Sequence, residues 1–318
     1  PAVPTLSDQG FKENNPNSGG VASADIENGI AFVSTSSTSP KITSMNVEDP
    51  FGAVFLQDYS NATYLDNPSD FLLDIERKLL ILIDSGVSRI SVFEYNSTTG
   101  VLTHKDAISS FVSSAVSGVY DPETQMLYVY NAGSYYLTSY DLTNPSSIVY
   151  KARLNLGSSN NYHQIALDAK NGLVIACGRA GSGRATVVDV RTKSSLTKLR
   201  DIYLATGIEN AVVDTEREHL FLLCTHQMHV LDWSTDLYST TQQNSGDIVA
   251  STDLYEKFWQ FGAQTRTNIV FDPIAANIYA FGRDFYGACD VSDPLDPAVI
   301  ITSEDFGEDA VCAAAIIG

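Results

Sequence analysis

One pattern recurs along this chain and limits what it can become. Five segments carry it: SDFLLDIERKLLILID from Ser69, VSGVYDPETQMLYVYN from Val116, HQIALDAKNGLVIACG from His163, ENAVVDTEREHLFLLC from Glu209 and TNIVFDPIAANIYAFG from Thr267. Each is a short apolar run ending in Asp, a polar turn, and a second apolar run. An earlier copy, ASADIENGIAFVST, puts Asp25 in the same slot. Asp25, Asp74, Asp121, Asp168, Asp214 and Asp272 then stand 49, 47, 47, 46 and 58 residues apart. Apolar runs of this length around a turn residue read as β-hairpins, and Asp at the turn caps the backbone amides two or three residues on.

A third strand follows each hairpin and carries a second recurring polar residue: Asn46, Glu94, Asp141, Asp189, Asp232 and Asp290. A fourth β segment comes after it, as in AVFLQDY, SIVYKARL and AVIITSEDF. The hydrophobic period is 2 throughout, which excludes helical repeats of similar length. Four antiparallel strands every 47 residues or so is the arithmetic of a propeller blade, whose sheet must bury both faces against its neighbours around an axis. The expected fold is therefore all-β, a single β-propeller domain over residues 1–318 built of four-stranded blades.

The stretches NIYAFGRDFYGACDVSDPLDPAVIITSEDF and GIAFVSTSSTSPKITSMNVEDPFGAVFLQDY resemble the LVIVD-repeat and YVTN-repeat β-propellers. The shared D-[VL]-[ST]-[DN]-P element stands at Asp290 to Pro294 and at Asp141 to Pro145, with a looser copy at Asn46 to Pro50. EYNST, DVRTK and DWSTD depart from it in blades 2, 4 and 5. The resemblance covers residues 20 to 306 and implies a surface or secreted propeller without an assigned chemistry.

Six full blades are expected over 20–306. PAVPTLSDQGF at the amino end resembles PAVIITSEDFG, so residues 1–19 read as an outer closing strand, and 308–318, EDAVCAAAIIG, copy the inner-strand starts. Together they make an incomplete seventh blade closed by both termini, with a six-bladed ring as the alternative. Residues 249–266 read as an insertion that stretches one spacing to 58.

Against 19 basic residues stand 38 acidic ones, a formal charge of −19. Nucleic acid is thereby excluded as a natural partner, and no apolar stretch approaches the length of a membrane span. Pro1 in place of Met, and sequons at Asn61 and Asn96, lead to the expectation of a secreted, extracellular glycoprotein. Of the four cysteines, Cys177 and Cys224 share a slot in adjacent blades and read as packed thiols, while Cys289 and Cys312 are the candidate disulfide at the ring seam.

In a propeller the starts of the inner strands converge on the mouth of the axial channel. Counting back four and five residues from each repeat Asp gives Ser69 and Asp70, Val116 and Ser117, His163 and Gln164, Glu209 and Asn210, Thr267 and Asn268, with Glu308 and Asp309 from the last copy. Acids, amides and an imidazole suit a hard cation, Ca2+ or another divalent ion, or a sugar-binding rim. The set resembles, in position, the Glu/Asn/Asp calcium centre of gluconolactonase and paraoxonase propellers, which implies Glu209, Asn210, Asn268 and Asp309 as metal ligands. His163 is the candidate base. Asp70, Ser117 and Gln164 are candidate ligand-binding residues. Arg179 and Arg184 join them from a basic sector in blade 4 that also holds Lys170, Arg191, Lys193, Lys198 and Arg200. The expected function is a non-catalytic binding or assembly module for a glycan or protein partner, with self-association possible. The alternatives are a metal-dependent lactonase or ester hydrolase at the channel mouth, and a subunit of an extracellular filament or sheath.

Overall fold

The computed structural model describes residues 21–35, 39–49, 53–157, 162–178, 183–204, 207–224, 227–234, 237–241, 248–253, 268–272, 275–281, 286–294 and 296–302. Among them every regular element is a β-strand, and none is a helix long and apolar enough to cross a membrane. Twenty-four strands form six four-stranded antiparallel sheets in simple meander order. Blade 1 is β1 (Ala22–Asp25), β2 (Ile30–Thr35), β3 (Lys41–Asn46) and β4 (Val54–Tyr59). Blade 2 is β5 (Pro68–Asp74), β6 (Leu79–Asp84), β7 (Arg89–Tyr95) and β8 (Leu102–Ile108). Blade 3 is β9 (Ala115–Asp121), β10 (Met126–Asn131), β11 (Tyr136–Asp141) and β12 (Val149–Asn155). Blade 4 is β13 (Tyr162–Asp168), β14 (Leu173–Gly178), β15 (Arg184–Asp189) and β16 (Thr197–Tyr203). Blade 5 is β17 (Ile208–Asp214), β18 (His219–Cys224), β19 (Gln227–Asp232) and β20 (Ile248–Asp253). Blade 6 is β21 (Asn268–Asp272), β22 (Asn277–Phe281), β23 (Tyr286–Asp290) and β24 (Ala298–Thr302).

The first strand of each blade lies against the first strand of the next, from β1 through β5, β9, β13 and β17 to β21, so the blades are arrayed radially as a β-propeller. The hydrophobic core is correspondingly divided. Ile30, Phe32 and Phe93 meet between blades 1 and 2, and Ile81, Ile83 and Val129 between blades 2 and 3. Tyr128, Tyr130 and Val174 pack between blades 3 and 4, Leu173, Cys177 and Leu222 between 4 and 5, and Phe221, Leu223 and Ile278 between 5 and 6. Alternation on the second strand explains the division. Along β6, Leu80 and Leu82 face blade 1 while Leu79, Ile81 and Ile83 face blade 3, and all six residues of the strand are buried. A strand covered on both faces has no position left for a polar alternate, which is why its first five residues are all apolar; Asp84 at its end is buried with its carboxylate accepting from the amides of Asp66, Asn67, Gly86 and Val87.

The repeat Asp caps its hairpin as the turn chemistry predicts. Asp25 accepts from the Asn28 amide, Asp74 from Arg77, Asp121 from Glu123, Asp168 from Asn171, Asp214 from Glu216 and Asp272 from Ala275. The second polar residue does the same after the third strand, as at Asp141, Asp189, Asp232 and Asp290.

One boundary is corrected. Residues 249–253, expected within an insertion, belong to β20, the outer strand of blade 5, where Ile248 pairs with Leu231 and Asp253 with Gln227. The extra length sits on either side of this strand. Fifteen residues separate β19 from β20, where other blades use six or seven, and fourteen separate β20 from β21, where the other links have four to eight. The strand was hidden because IVASTD is short and half polar. Residues 254–266, and the expected seventh-blade segments 1–19 and 308–318, lie outside the described residues.

Candidate functional site

The inner strands do not start as plain alternating strands. In blades 2 to 5 each contains a β-bulge at the same place: the register slips at Ser69, Val116, His163 and Glu209, which have no direct partner on the second strand. A bulge leaves one residue unpaired and re-aims its side chain. The alternation of faces is broken there: Ser69 and Asp70 both reach toward blade 3, whereas in blade 4 Gln164 reaches back to blade 3 and His163 on to blade 5.

The result is a belt of polar contacts around the channel mouth. Ser69 Oγ of blade 2 donates to the Ala115 carbonyl of blade 3 at 2.8 Å, and the Gly118 amide donates back to Asp70 Oδ2 at 2.9 Å. Ser117 Oγ of blade 3 donates to Gln164 Oε1 of blade 4 at 2.8 Å. His163 Nε2 of blade 4 lies 3.4 Å from Glu209 Oε2 of blade 5. Ser117, Glu209 and Asn210 are buried, and Asn210 Oδ1 accepts from the Ala211 amide at 2.8 Å.

Two members of this belt stand out. Desolvation pushes the Asp70 carboxyl up to about 7, overriding the amide hydrogen bonds from Gly118 and Phe71 that favour its charged form. The imidazole of His163 has both ring nitrogens shut away from solvent, and neither makes a hydrogen bond. Its nearest acid is Glu209, whose Oε2 stands farther from Nε2 than in a good hydrogen bond.

The sequence-derived set is therefore brought together in part. Asp70, Ser117, Gln164, His163, Glu209 and Asn210 share the belt. Asn268 begins β21, the inner strand of blade 6, and its side chain lies outside the described residues, as do Asp309 and Arg179. Among the described residues no three His, Cys, Asp or Glu side chains come together as a metal-ligating group.

Arg184 is turned inward. Its guanidinium donates to the Tyr162 hydroxyl at 2.9 Å and to the Leu156 carbonyl at 3.2 Å, and it lies 3.3 Å from Asp201. The rest of the basic sector is similarly engaged. Arg191 pairs with Asp189 and stacks on Tyr238, Lys198 pairs with Asp201, and buried Arg200 lies over Trp233. These cations join strands and blades, so the local excess of positive charge is structural.

Cys177 and Cys224 pack in one cluster between blades 4 and 5, and burial, with Cys224 and Glu209 nearby, pushes the Cys177 thiol far up. Cys289 is buried in blade 6, and Cys312 lies outside the described residues. Both sequon asparagines head turns: Asn61 Oδ1 accepts from the Thr63 amide, and Asn96 Oδ1 from those of Thr98 and Thr99.

Sequence reasoning placed the inner-strand starts but missed the bulges. The signal was available in the 47, 47 and 46 residue steps between Ser69, Val116, His163 and Glu209. What it lacked was any residue type that demands a bulge.

No protein-family model and no curated protein matches this chain. Solved structures do match it in fold. A protein from Lactobacillus plantarum superposes with a TM-score of 0.70 at 12% identity, over 92% of this chain and 86% of that one. Candidate 6-phosphogluconolactonases from Bacteroides uniformis and Bacteroides fragilis give TM-scores of 0.68 and 0.66 at 9% and 10% identity. Those two matches cover 92% of this chain and 85% and 84% of theirs. Similarity at this level establishes the propeller architecture, which hosts many unrelated activities.

Proposed function

We propose that this propeller is a secreted, non-catalytic binding module that offers the channel-mouth face to a glycan or protein partner. One observation supports the reading above others: the polar groups that converge on the mouth hold one blade to the next. A side chain already bonded across a blade interface is a poor reagent and a good brace. The His163 nitrogens have no solvent-exposed surface, so a reacting group would reach them only if neighbouring atoms moved. A face braced in this way is preorganised, which lowers the ordering entropy that binding must overcome. Sequons in turns agree with an extracellular location.

The test is a panel of lactones and esters together with arrayed glycans and extracellular proteins. We expect saturable binding to a member of the arrays, and no turnover beyond that of a His163→Ala variant. Turnover that disappears in Glu209→Ala would overturn the proposal.

A second reading, hydrolysis of a lactone or ester, is favoured by one specific feature. An imidazole whose two ring nitrogens are shut from solvent and unbonded, beside a buried Glu209 side chain, is an arrangement that stability alone does not call for. The fold-level similarity to candidate 6-phosphogluconolactonases is compatible with it. In this reading Glu209 orients His163, which takes a proton from the attacking water. Glu209 and Asn210 supply two oxygen-bearing side chains toward a divalent cation such as Ca2+, which takes six to eight oxygens. The described residues do not complete such a set. Metal analysis and melting with and without chelator test this reading: a stoichiometric cation and a lower melting temperature in chelator would favour it.

A further inference from the structure

Outside the belt, one cation stands apart. Arg153, near the end of β12, has its guanidinium carbon 4.8 Å from the ring centre of Phe111 and 4.8 Å from that of Tyr136. Tyr136 opens β11, and register explains the approach: Arg153 is paired with Thr138, so Tyr136 lies two residues along on the same sheet face. Phe111 comes from the link between β8 and β9, which joins blades 2 and 3 on the channel-mouth side. Tyr150 packs on Phe111, with ring centres 4.2 Å apart.

Among the described residues, every other Lys and Arg donates a hydrogen bond or an ion pair to the chain. Arg153 does neither, although the chain carries 38 acidic residues. Among the described residues the hydroxyls of Tyr136 and Tyr150 likewise have no hydrogen-bond partner. Phe111 is 46% exposed and holds a left-handed backbone, φ 62°, which a bulky side chain rarely adopts. The Tyr140 hydroxyl donates to the Ser110 carbonyl beside it and helps fix that turn. Backbone strain of this kind persists where the surroundings impose it.

We infer that this rim of blade 3 binds an acidic sugar, a uronate ring, through Arg153 held between Phe111 and Tyr136. A guanidinium resting on two rings has given up part of its rotamer freedom already and presents a planar fork of donors, which matches a carboxylate in two parallel hydrogen bonds. The open tyrosine hydroxyls of Tyr136 and Tyr150 suit the hydroxyl groups of a pyranose. Every recognition element here is a side-chain ring, hydroxyl or cation. That favours a small hydroxylated ring over an extended peptide, which pairs through its backbone. The inference rests on the binding-module reading and names its ligand class.

The test titrates the full chain with trigalacturonate by calorimetry. Its methyl ester, which removes the charge, and a Glu-containing hexapeptide serve as comparisons. We expect saturable binding of the uronate, weakened about tenfold or more by Arg153→Gln and by esterification, since a hydrogen bond to a charged group is lost. Arg153→Lys should retain part of the affinity, and Phe111→Ala should lose most of it. Arg153 is exposed, so Arg153→Gln should melt as the parent does, which separates lost binding from lost fold. No saturable uronate binding, equal affinity in Arg153→Gln, or tighter binding of the peptide would overturn the inference. Glu209-dependent lactone turnover would instead overturn the binding-module reading and leave this titration standing.

Discussion

Asp70 shows how one residue can set the pH range of the whole fold. Its carboxyl titrates near 7 in the folded chain and near its ordinary 3.8 when unfolded. Between those values unfolding releases a proton, so stability falls as pH rises through the window, by up to roughly 4 kcal/mol, and levels off above it. Asp70→Asn is neutral at every pH and can still accept from Gly118. We expect the variant's stability relative to the parent to be much greater at pH 8 than at pH 4.5 in urea melts; an equal difference at both would sink the assignment. A second residue-scale effect lies four positions after each repeat Asp, where Gly29, Lys78, Gln125, Gly172, Glu218 and Ala276 all have positive φ. An L-residue there costs about 1–2 kcal/mol in backbone energy, against about 0.5–1 kcal/mol of entropy for Gly. Lys78→Gly and Gln125→Gly should therefore raise the urea midpoint slightly. Gly172→Ala should lower it, since a new Cβ would stand 2.5 Å from Arg191 Cγ.

At the scale of the element, the repeat Asp does more than cap a turn. Tyr95, which ends the third strand of blade 2, donates to Asp25 of blade 1 at 2.6 Å, and Trp233, just after the third strand of blade 5, donates to Asp168 of blade 4 at 2.7 Å. In blade 3 the same slot holds Leu142, and the tie moves to the inner strand: Tyr120 donates to Asp74 at 2.7 Å while Arg77 reaches the Leu142 carbonyl. Asp168 is wholly buried, so Trp233→Phe keeps most of the packed ring but leaves a buried carboxylate short of a donor. The expected loss is roughly 1–3 kcal/mol, read from the denaturation midpoint, with Tyr95→Phe giving a similar loss. If both variants unfold at the parent's midpoint, the blades are held by apolar contact alone. This division marks what was legible in the sequence. Asp at a turn acts on amides two or three residues away, so its role could be read from local spacing. The partner on the next blade stands far away in sequence and occupies a different slot from blade to blade, so no periodicity announces it. The bulges were hidden for a related reason, since Val116 and His163 satisfy a bulge without being types that require one.

For the whole molecule, the question is whether its charges hold it together or push it apart. Cations are few and local. Lys41 pairs with Asp58 at 2.8 Å and Lys105 with Glu94 at 2.6 Å, all four side chains at least partly exposed, so each pair contributes little. The net −19 is left over, and its repulsion acts across the entire disc. Cohesion comes instead from the apolar faces between blades, which salt does not screen. Raising sodium chloride from about 10 to about 150 mM shortens the screening length from roughly 30 to 8 Å, which weakens long-range repulsion more than contacts at hydrogen-bond distance. The melting temperature at pH 8 should therefore rise with salt, and the rise should shrink toward pH 4.5 as carboxylates gain protons. A fall in melting temperature over the same range would mean that ion pairs, and not the stacked apolar blades, carry the stability of the ring.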